Sequence, residues 1–295
     1  MTGNAVYLDY DQARLDLNYN QAAWAPNAEE IIAWYRDASL EAHRKLTSRH
    51  LAYGEGPAER IDLFPAAMQG APLVVYVHGG AWRMLDRMDS AFAAEAFVGA
   101  GLNFAVLDFA SIPAARLPEM VTQVQRGIGW LARHSGELGF NSRRLFVVGH
   151  SSGAHLVAAA LTAETPHRIE SGIVAGALCA SGAYDLEGPM LSARGAYLGL
   201  TATEIETFSP IRHIAKLDCP VLVAYGEAET DEYRRHAMTF HEALRKAGKP
   251  SALLLAPRQN HFEVSRMLAA RDSALFKELA KTMTRSFGQI SALIR

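Results

Sequence analysis

Apolar residues fall along this chain in two alternating rhythms. Short continuous runs rich in β-branched residues, "RIDLFPA", "PLVVYVHGG", "NFAVLDF", "LFVVGH", "IVAGALCASG", "PVLVAYG" and "SALLLAP", have the form of strands buried on both faces. Between them apolar positions recur at helical spacing. This predicts helices near 86–100, 117–137, 152–163 and 231–248, and an amphipathic helix in "SALFKELAKTMTRSF". An earlier helix opens at "PNAEEIIAWYRDASLEAHRKL". Asn27 is placed to cap it, Glu29 and Glu30 suit its positive end, and Ile31, Ile32, Tyr35, Ala38 and Ala42 form its apolar stripe. Strands alternating with helices predict βαβ units and a mostly parallel sheet, and right-handed crossovers place helices on both of its faces. Two segments break the rhythm, residues 1–48 and about 184–216. Ligands of an open α/β sheet sit above the carboxyl ends of its strands. Both segments are therefore expected to be cap material on a single domain spanning 1–295.

Composition narrows the partners. At 49% hydrophobic and 20% charged, the chain can bury a sizeable core in water. A net charge of −2, with Lys and Arg scattered, gives no basic face for nucleic acid or an anionic membrane. No run approaches the apolar length of a membrane span, and "SGIVAGALCASGAY" is too short and too rich in Gly and Ser. The opening "MTGNAVYLDYDQARLDLNYN" lacks the basic and apolar regions of a secretory signal. The expectation is a soluble, cytoplasmic protein that works on a small molecule, with room for a homodimer. Cys179 and Cys219 sit in or beside apolar runs and read as small buried hydrophobes; one disulfide between them is allowed.

The chemistry concentrates at strand ends. Gly149-His150-Ser151-Ser152-Gly153 is a G-x-S-x-G between a predicted strand and a predicted helix. In that context the pattern describes a nucleophile elbow, a turn sharp enough to strain the serine backbone and to exclude side chains two residues either side. Ser151 is the nucleophile in this register, and Ser152 contributes its backbone N–H. A serine hydroxyl needs a base, an orienting acid and an oxyanion hole, and here the expected chain order is Ser, acid, His. "YVHGGAW" supplies glycines after a strand, so Gly79, Gly80 and Ser152 are the expected oxyanion donors. His78 precedes the serine and is expected to hold the loop by hydrogen bonds. Among 11 histidines, His261 alone follows the last strand on the loop "RQNHFEV", and it is the expected base. His155, His236 and His241 fall within predicted helices; His43, His50, His134, His167 and His213 fall in solvated or cap stretches. Glu227, Glu229, Asp231 and Glu232 all follow "PVLVAYG". Asp231 and Glu232 look like the first turn of a helix capped by Thr230, which favours Glu229 as the acid. Trp82, just past the glycines, fits a wall for an aromatic leaving group and fits a core position equally well.

Taken together, "HGGAW", "GHSSGAH", "YGEAETDEYRRH" and "NHFEV" resemble the kynurenine formamidase (arylformamidase) branch of the α/β-hydrolases, which neighbours the hormone-sensitive-lipase-like esterases. The likeness extends to "YNQAAW" and "RLPEMVTQVQRGIGWL". It implies an α/β-hydrolase fold with an eight-stranded sheet and a small cap, no cofactor and no metal. It also implies hydrolysis of an aryl formamide such as N-formylkynurenine, or of a small ester, with the catalytic acid and histidine falling on Glu229 and His261. The stretch "FASIPAA" replaces the "YRLAPE" of the esterase neighbours. Serine follows the nucleophile where the family often has alanine, and the acid is Glu where some members have Asp. Nothing like the "HGTHxD" motif of a metal-binding formamidase family occurs. A broad carboxylesterase and a non-catalytic binding relative of the same fold are the rival expectations.

Overall fold

The computed structural model describes residues 4–287. Eight strands, β1 (Arg49–Ala52), β2 (Arg60–Phe64), β3 (Ala71–Val77), β4 (Asn103–Leu107), β5 (Phe140–His150), β6 (Val174–Ala180), β7 (Val221–Gly226) and β8 (Ser251–Ala256), make one sheet. Their order is β1-β2-β4-β3-β5-β6-β7-β8. The pairs β1–β2 and β2–β4 are antiparallel and all others parallel.

The continuous apolar runs become strands because both faces are covered. Leu73, Val75 and Val77 of β3 pack with Val147 of β5 and Val223 of β7 into one layer, beneath the helices Leu117–Arg133, Ser152–Thr162 and Asp231–Lys246. Val74, Tyr76, Phe146, Val148 and Leu222 face the other way, toward the helices Ala28–Lys45, Ala94–Gly99 and Ala274–Phe287. A one-residue register slip in any central strand would exchange these two layers, so the packing fixes the register.

Departures from the predicted elements have local causes. The strand β1 was not predicted: it has only four residues, on an antiparallel edge, and carries no long apolar run. At the opposite edge, β8 leaves Leu253 and Leu255 at 38% and 42% exposure, so this strand is not buried on both faces. The helix expected over 86–100 shortens to Ala94–Gly99, after a 3-10 turn at Arg87–Asp89. The cap expected over 1–48 divides. Residues between Ala13 and Ala22 border the cavities described below, whereas Ile31, Tyr35 and Ala42 of the following helix belong to the core layer, with Tyr35 also reaching the cavity wall. Asn27 does sit at that helix's N-terminus, but its side chain makes no cap bond. It donates to Glu263 and accepts from Asn260 instead, tying the helix to the loop that carries His261. The segment 184–216 forms short helices, and its Leu198, Phe208 and Ile214 are buried in the core. Cys179 and Cys219 are buried free thiols, and burial pushes Cys219 up to about 12. Among the described residues no helix is long and apolar enough to cross a membrane.

Candidate active site

Strand β5 ends at His150, and the helix Ser152–Thr162 begins two residues on. The turn between them forces Ser151 to φ 57°, ψ −124°, a conformation non-glycine residues rarely adopt. The flanking glycines are steric requirements. A Cβ on Gly149 would lie 2.4 Å from the Gly153 carbonyl oxygen, and one on Gly153 would lie 2.1 Å from that of Val77. The Ser151 N–H is anchored to the Ala180 carbonyl at the end of β6 (2.9 Å), so the sheet itself aims the hydroxyl.

His261 Nε2 lies 2.9 Å from Ser151 Oγ, and its Nδ1 lies 2.8 Å from Glu229 Oε2. A carboxylate only accepts, so Nδ1 carries the proton and Nε2 turns its lone pair toward the serine. The other Glu229 oxygen accepts from Ser181 Oγ (2.6 Å) and from the Gly226 N–H (2.7 Å). Three donors thus hold a carboxylate that is 2% exposed. His261 is the first residue of a helix with an Asn260–Glu263 capping box. Its ring meets Tyr233 edge-on, with centroids 4.7 Å apart. His150 Nε2 donates to the His261 carbonyl (2.8 Å), joining the serine turn directly to the histidine loop. The remaining acid candidates serve elsewhere. Glu227 accepts from the Arg258 N–H, Asp231 is exposed near Arg14, and Glu232 pairs with Arg235. Thr230 caps the helix that begins at Asp231.

Beside the serine runs the loop after β3. Gly80 has φ 108°, and a Cβ there would lie 1.8 Å from the Met84 carbonyl oxygen, so only glycine fits. Ala81, Trp82 and Leu85 also take positive φ, which makes this the most strained loop around the site. Among the described residues, the N–H groups of Gly79, Gly80 and Ser152 have no protein acceptor. Among the same residues the Ser152 hydroxyl is buried without a partner. His78 bonds the Gly79 carbonyl and Asp108 Oδ1 (3.2 Å) and stacks on Phe109 at 4.4 Å. Arg87 bridges Asp108 to the fully buried Asp62, which also bonds His50. The "FASIPAA" stretch supports the same loop, because the Ile112 N–H donates to the Trp82 carbonyl.

Over Ser151 lies a cavity of about 200 Å³, lined by Tyr19, Tyr35, Gly80, Leu85, Arg194 and Phe262 among others. It adjoins a wider surface basin of about 740 Å³ that shares Tyr19, Met84 and Arg194. Trp82 takes the core position of its two readings. It is 1% exposed, it does not line the cavity, and its indole N–H donates to His155 Nδ1 (3.2 Å). Sequence reasoning missed Ser181, Tyr233 and Arg194. Ser181 alone left a signal, a serine-glycine pair just past the carboxyl end of β6. Among the described residues no group of three or more His, Cys, Asp or Glu could hold a metal ion.

Known proteins share this architecture. The BD-FAE family model matches residues 61–181. A kynurenine formamidase from Danio rerio is 28% identical over 287 residues, covering 92% of this chain and 96% of that one. A kynurenine formamidase from Drosophila melanogaster is 29% identical over 247 residues, covering 79% and 81%. A crystal structure of a candidate thioesterase from Silicibacter sp. tm1040 has TM-score 0.79 at 23% identity, over 89% of this chain and 97% of that one, and shares the fold. The eight-stranded sheet with helices on both faces is the α/β-hydrolase fold. The chain is an enzyme with the α/β-hydrolase fold, and over most of its length it is similar to kynurenine formamidases.

Proposed function

We propose that this enzyme is a serine hydrolase in which Ser151, His261 and Glu229 form the catalytic triad, and that it cleaves a small acyl group from an aryl formamide such as N-formylkynurenine. The observation that carries this reading is the hydrogen-bonded line from Ser151 Oγ through His261 to Glu229, at 2.9 Å and 2.8 Å. His261 takes the Ser151 proton as the serine attacks the formyl carbon. The Gly79, Gly80 and Ser152 N–H groups receive the oxyanion, and Glu229 stabilises the imidazolium. His261 then protonates the leaving nitrogen, a step an anilide requires because a free amide anion does not depart. Water activated by the same histidine releases formate.

Two features favour a small acyl group and an aromatic leaving group. The cavity over Ser151, about 200 Å³, lies below the usual range of ligand pockets. Its walls include Tyr19, Tyr35 and Phe262. The formamidase relatives aligned over most of the chain add to this reading.

The test is a comparison of kcat/KM for N-formylkynurenine and p-nitrophenyl butyrate, with a fluorophosphonate probe on Ser151. The formamide is expected to be the better substrate although nitrophenolate is the better leaving group. Efficient butyrate hydrolysis with no deformylation would move the enzyme to the carboxylesterases. Absence of labelling at Ser151 would make it a binding protein.

A further inference from the structure

Arg194 lines both the cavity over Ser151 and the basin outside it. Its guanidinium is bound entirely to neutral groups. Nε and Nη2 donate to the Tyr19 carbonyl (2.9 and 2.6 Å), Nη2 also donates to Gln21, and Nη1 donates to the Tyr233 hydroxyl (3.2 Å). Among the described residues no carboxylate lies within ion-pair distance of it. Arg83, on the rim of the same basin, rests over the Tyr197 ring at 4.8 Å and likewise has no acidic partner among them. The contrast with the rest of the molecule is direct: Arg212, Arg235 and Arg116 each meet at least one carboxylate within 2.9 Å. A half-buried guanidinium held by neutral groups keeps its charge uncompensated by protein and available to an anionic ligand.

We infer that Arg194 is a specificity residue that binds a carboxylate on the leaving group of the substrate. The recorded bonds leave one Nη1 hydrogen free and fix the guanidinium plane, so the group is oriented before a ligand arrives. The Tyr233 hydroxyl accepts from Arg194 and the Tyr233 ring meets His261 edge-on at 4.7 Å, so one side chain stands between the positive charge and the histidine bonded to Ser151. The inference rests on Ser151 being the nucleophile. The acyl carbon must then sit between Ser151 and the N–H groups of Gly79 and Gly80, and the leaving group is the part that extends toward Arg194 and the basin. The substrate class is an aryl formamide or aryl ester whose leaving group carries an acid. Neither the substrate nor the product needs any other charge for this contact.

The test uses matched pairs of substrates on the full chain. One pair is an ortho-formamidophenyl ketone ending in a carboxylate and the same ketone ending in a methyl. The other is meta-acetoxybenzoate and phenyl acetate. The readout is the ratio of kcat/KM, charged over neutral. Wild type is expected to favour the charged member about 10- to 100-fold, the size of a charged hydrogen bond. Arg194→Gln should collapse that ratio toward one, chiefly through KM, and Arg194→Lys should retain part of it. Wild type without a charge preference overturns the inference, and so does a ratio that survives Arg194→Gln while both members slow equally, which would mark Arg194 as a brace for Tyr19 and Gln21. If Arg194→Gln does not fold, Arg194→Lys and competitive inhibition of wild type by meta-hydroxybenzoate against phenol decide the matter, and equal inhibition constants reject it. The two pairs separate this inference from the formamidase reading. A charge preference confined to the esters, with no formamide turnover, sinks the formamidase reading and leaves Arg194 in its assigned role.

Discussion

Ser151 and Ser152 carry the same hydroxyl one residue apart, and the backbone gives them opposite tasks. At φ 57° the Ser151 hydroxyl faces His261, whereas among the described residues the Ser152 hydroxyl is buried without a partner and its N–H has no protein acceptor. Ser151→Ala should lower kcat by about 10⁶, and Ser152→Ala, which keeps the N–H, should cost far less. Steady-state rates on one formamide and one ester measure both; equal losses would contradict the assignment. For the acid, Glu229→Gln should lower kcat by about 10³ to 10⁴, because an amide can no longer stabilise the imidazolium and can impose the wrong tautomer. Asp231→Asn should be nearly silent, since Asp231 is exposed and points to Arg14. Damage from Asp231→Asn instead would reassign the triad. The positions of Ser151, Glu229 and His261, which the fold brings together, were legible because each follows an apolar run that reads as a strand. Arg194 was not legible. The Tyr19 carbonyl that orients it lies 175 residues away in the chain, and no local pattern connects a short helix in a cap to a carbonyl near the N-terminus.

At the scale of elements, the loops of the site are tied to one another as well as to the strand ends. His150 holds the His261 carbonyl, and Asn27 holds Asn260 and Glu263. The second tie replaces the helix cap that the sequence suggested for Asn27. A side chain at a helix start can serve its own backbone or a neighbour, and the local sequence does not distinguish the two. Asn27→Ala should therefore lower stability by about 1 kcal/mol or more, leaving Asn260 and Glu263 short of a partner. It should also reduce kcat with little change in KM, because it loosens the histidine loop and not the cavity wall. Urea melts and initial rates check this, and a variant with wild-type kcat would show that the capping box alone positions His261. The strands were legible wherever both faces are covered. Strand β1 escaped because four residues on an antiparallel edge need no apolar run.

For the molecule as a whole, buried histidines set the acid limit. Burial pushes His150 down to about 3, helped by the neighbouring His261, and pushes His155 to about 4 and His236 to about 3. An unfolded histidine titrates near 6.5. Above about pH 6.5 these three are neutral in both states and contribute no pH dependence. Below it the unfolded chain takes up protons that the folded chain refuses, so stability falls as pH drops toward 4. The expected slope is about 1.4 kcal/mol per pH unit for each histidine. Urea melts at pH 7.5, 6 and 5 measure it, and His236→Gln should remove about one proton from the slope. Stability that stays level across this window would falsify the neutral assignment.

The ties of the N-terminal helix also set a clock. Asn27 lies 236 residues before Glu263, and Tyr19 lies 213 before Glu232. At about 5–20 residues per second of synthesis, the N-terminal segment leaves the ribosome roughly 10–50 s before the last of these partners exists. For that interval the stripe of Ile31, Tyr35 and Ala42 has no complete layer to cover it, so a nascent chain exposes this stripe until the strands and helices that pack on it have been made.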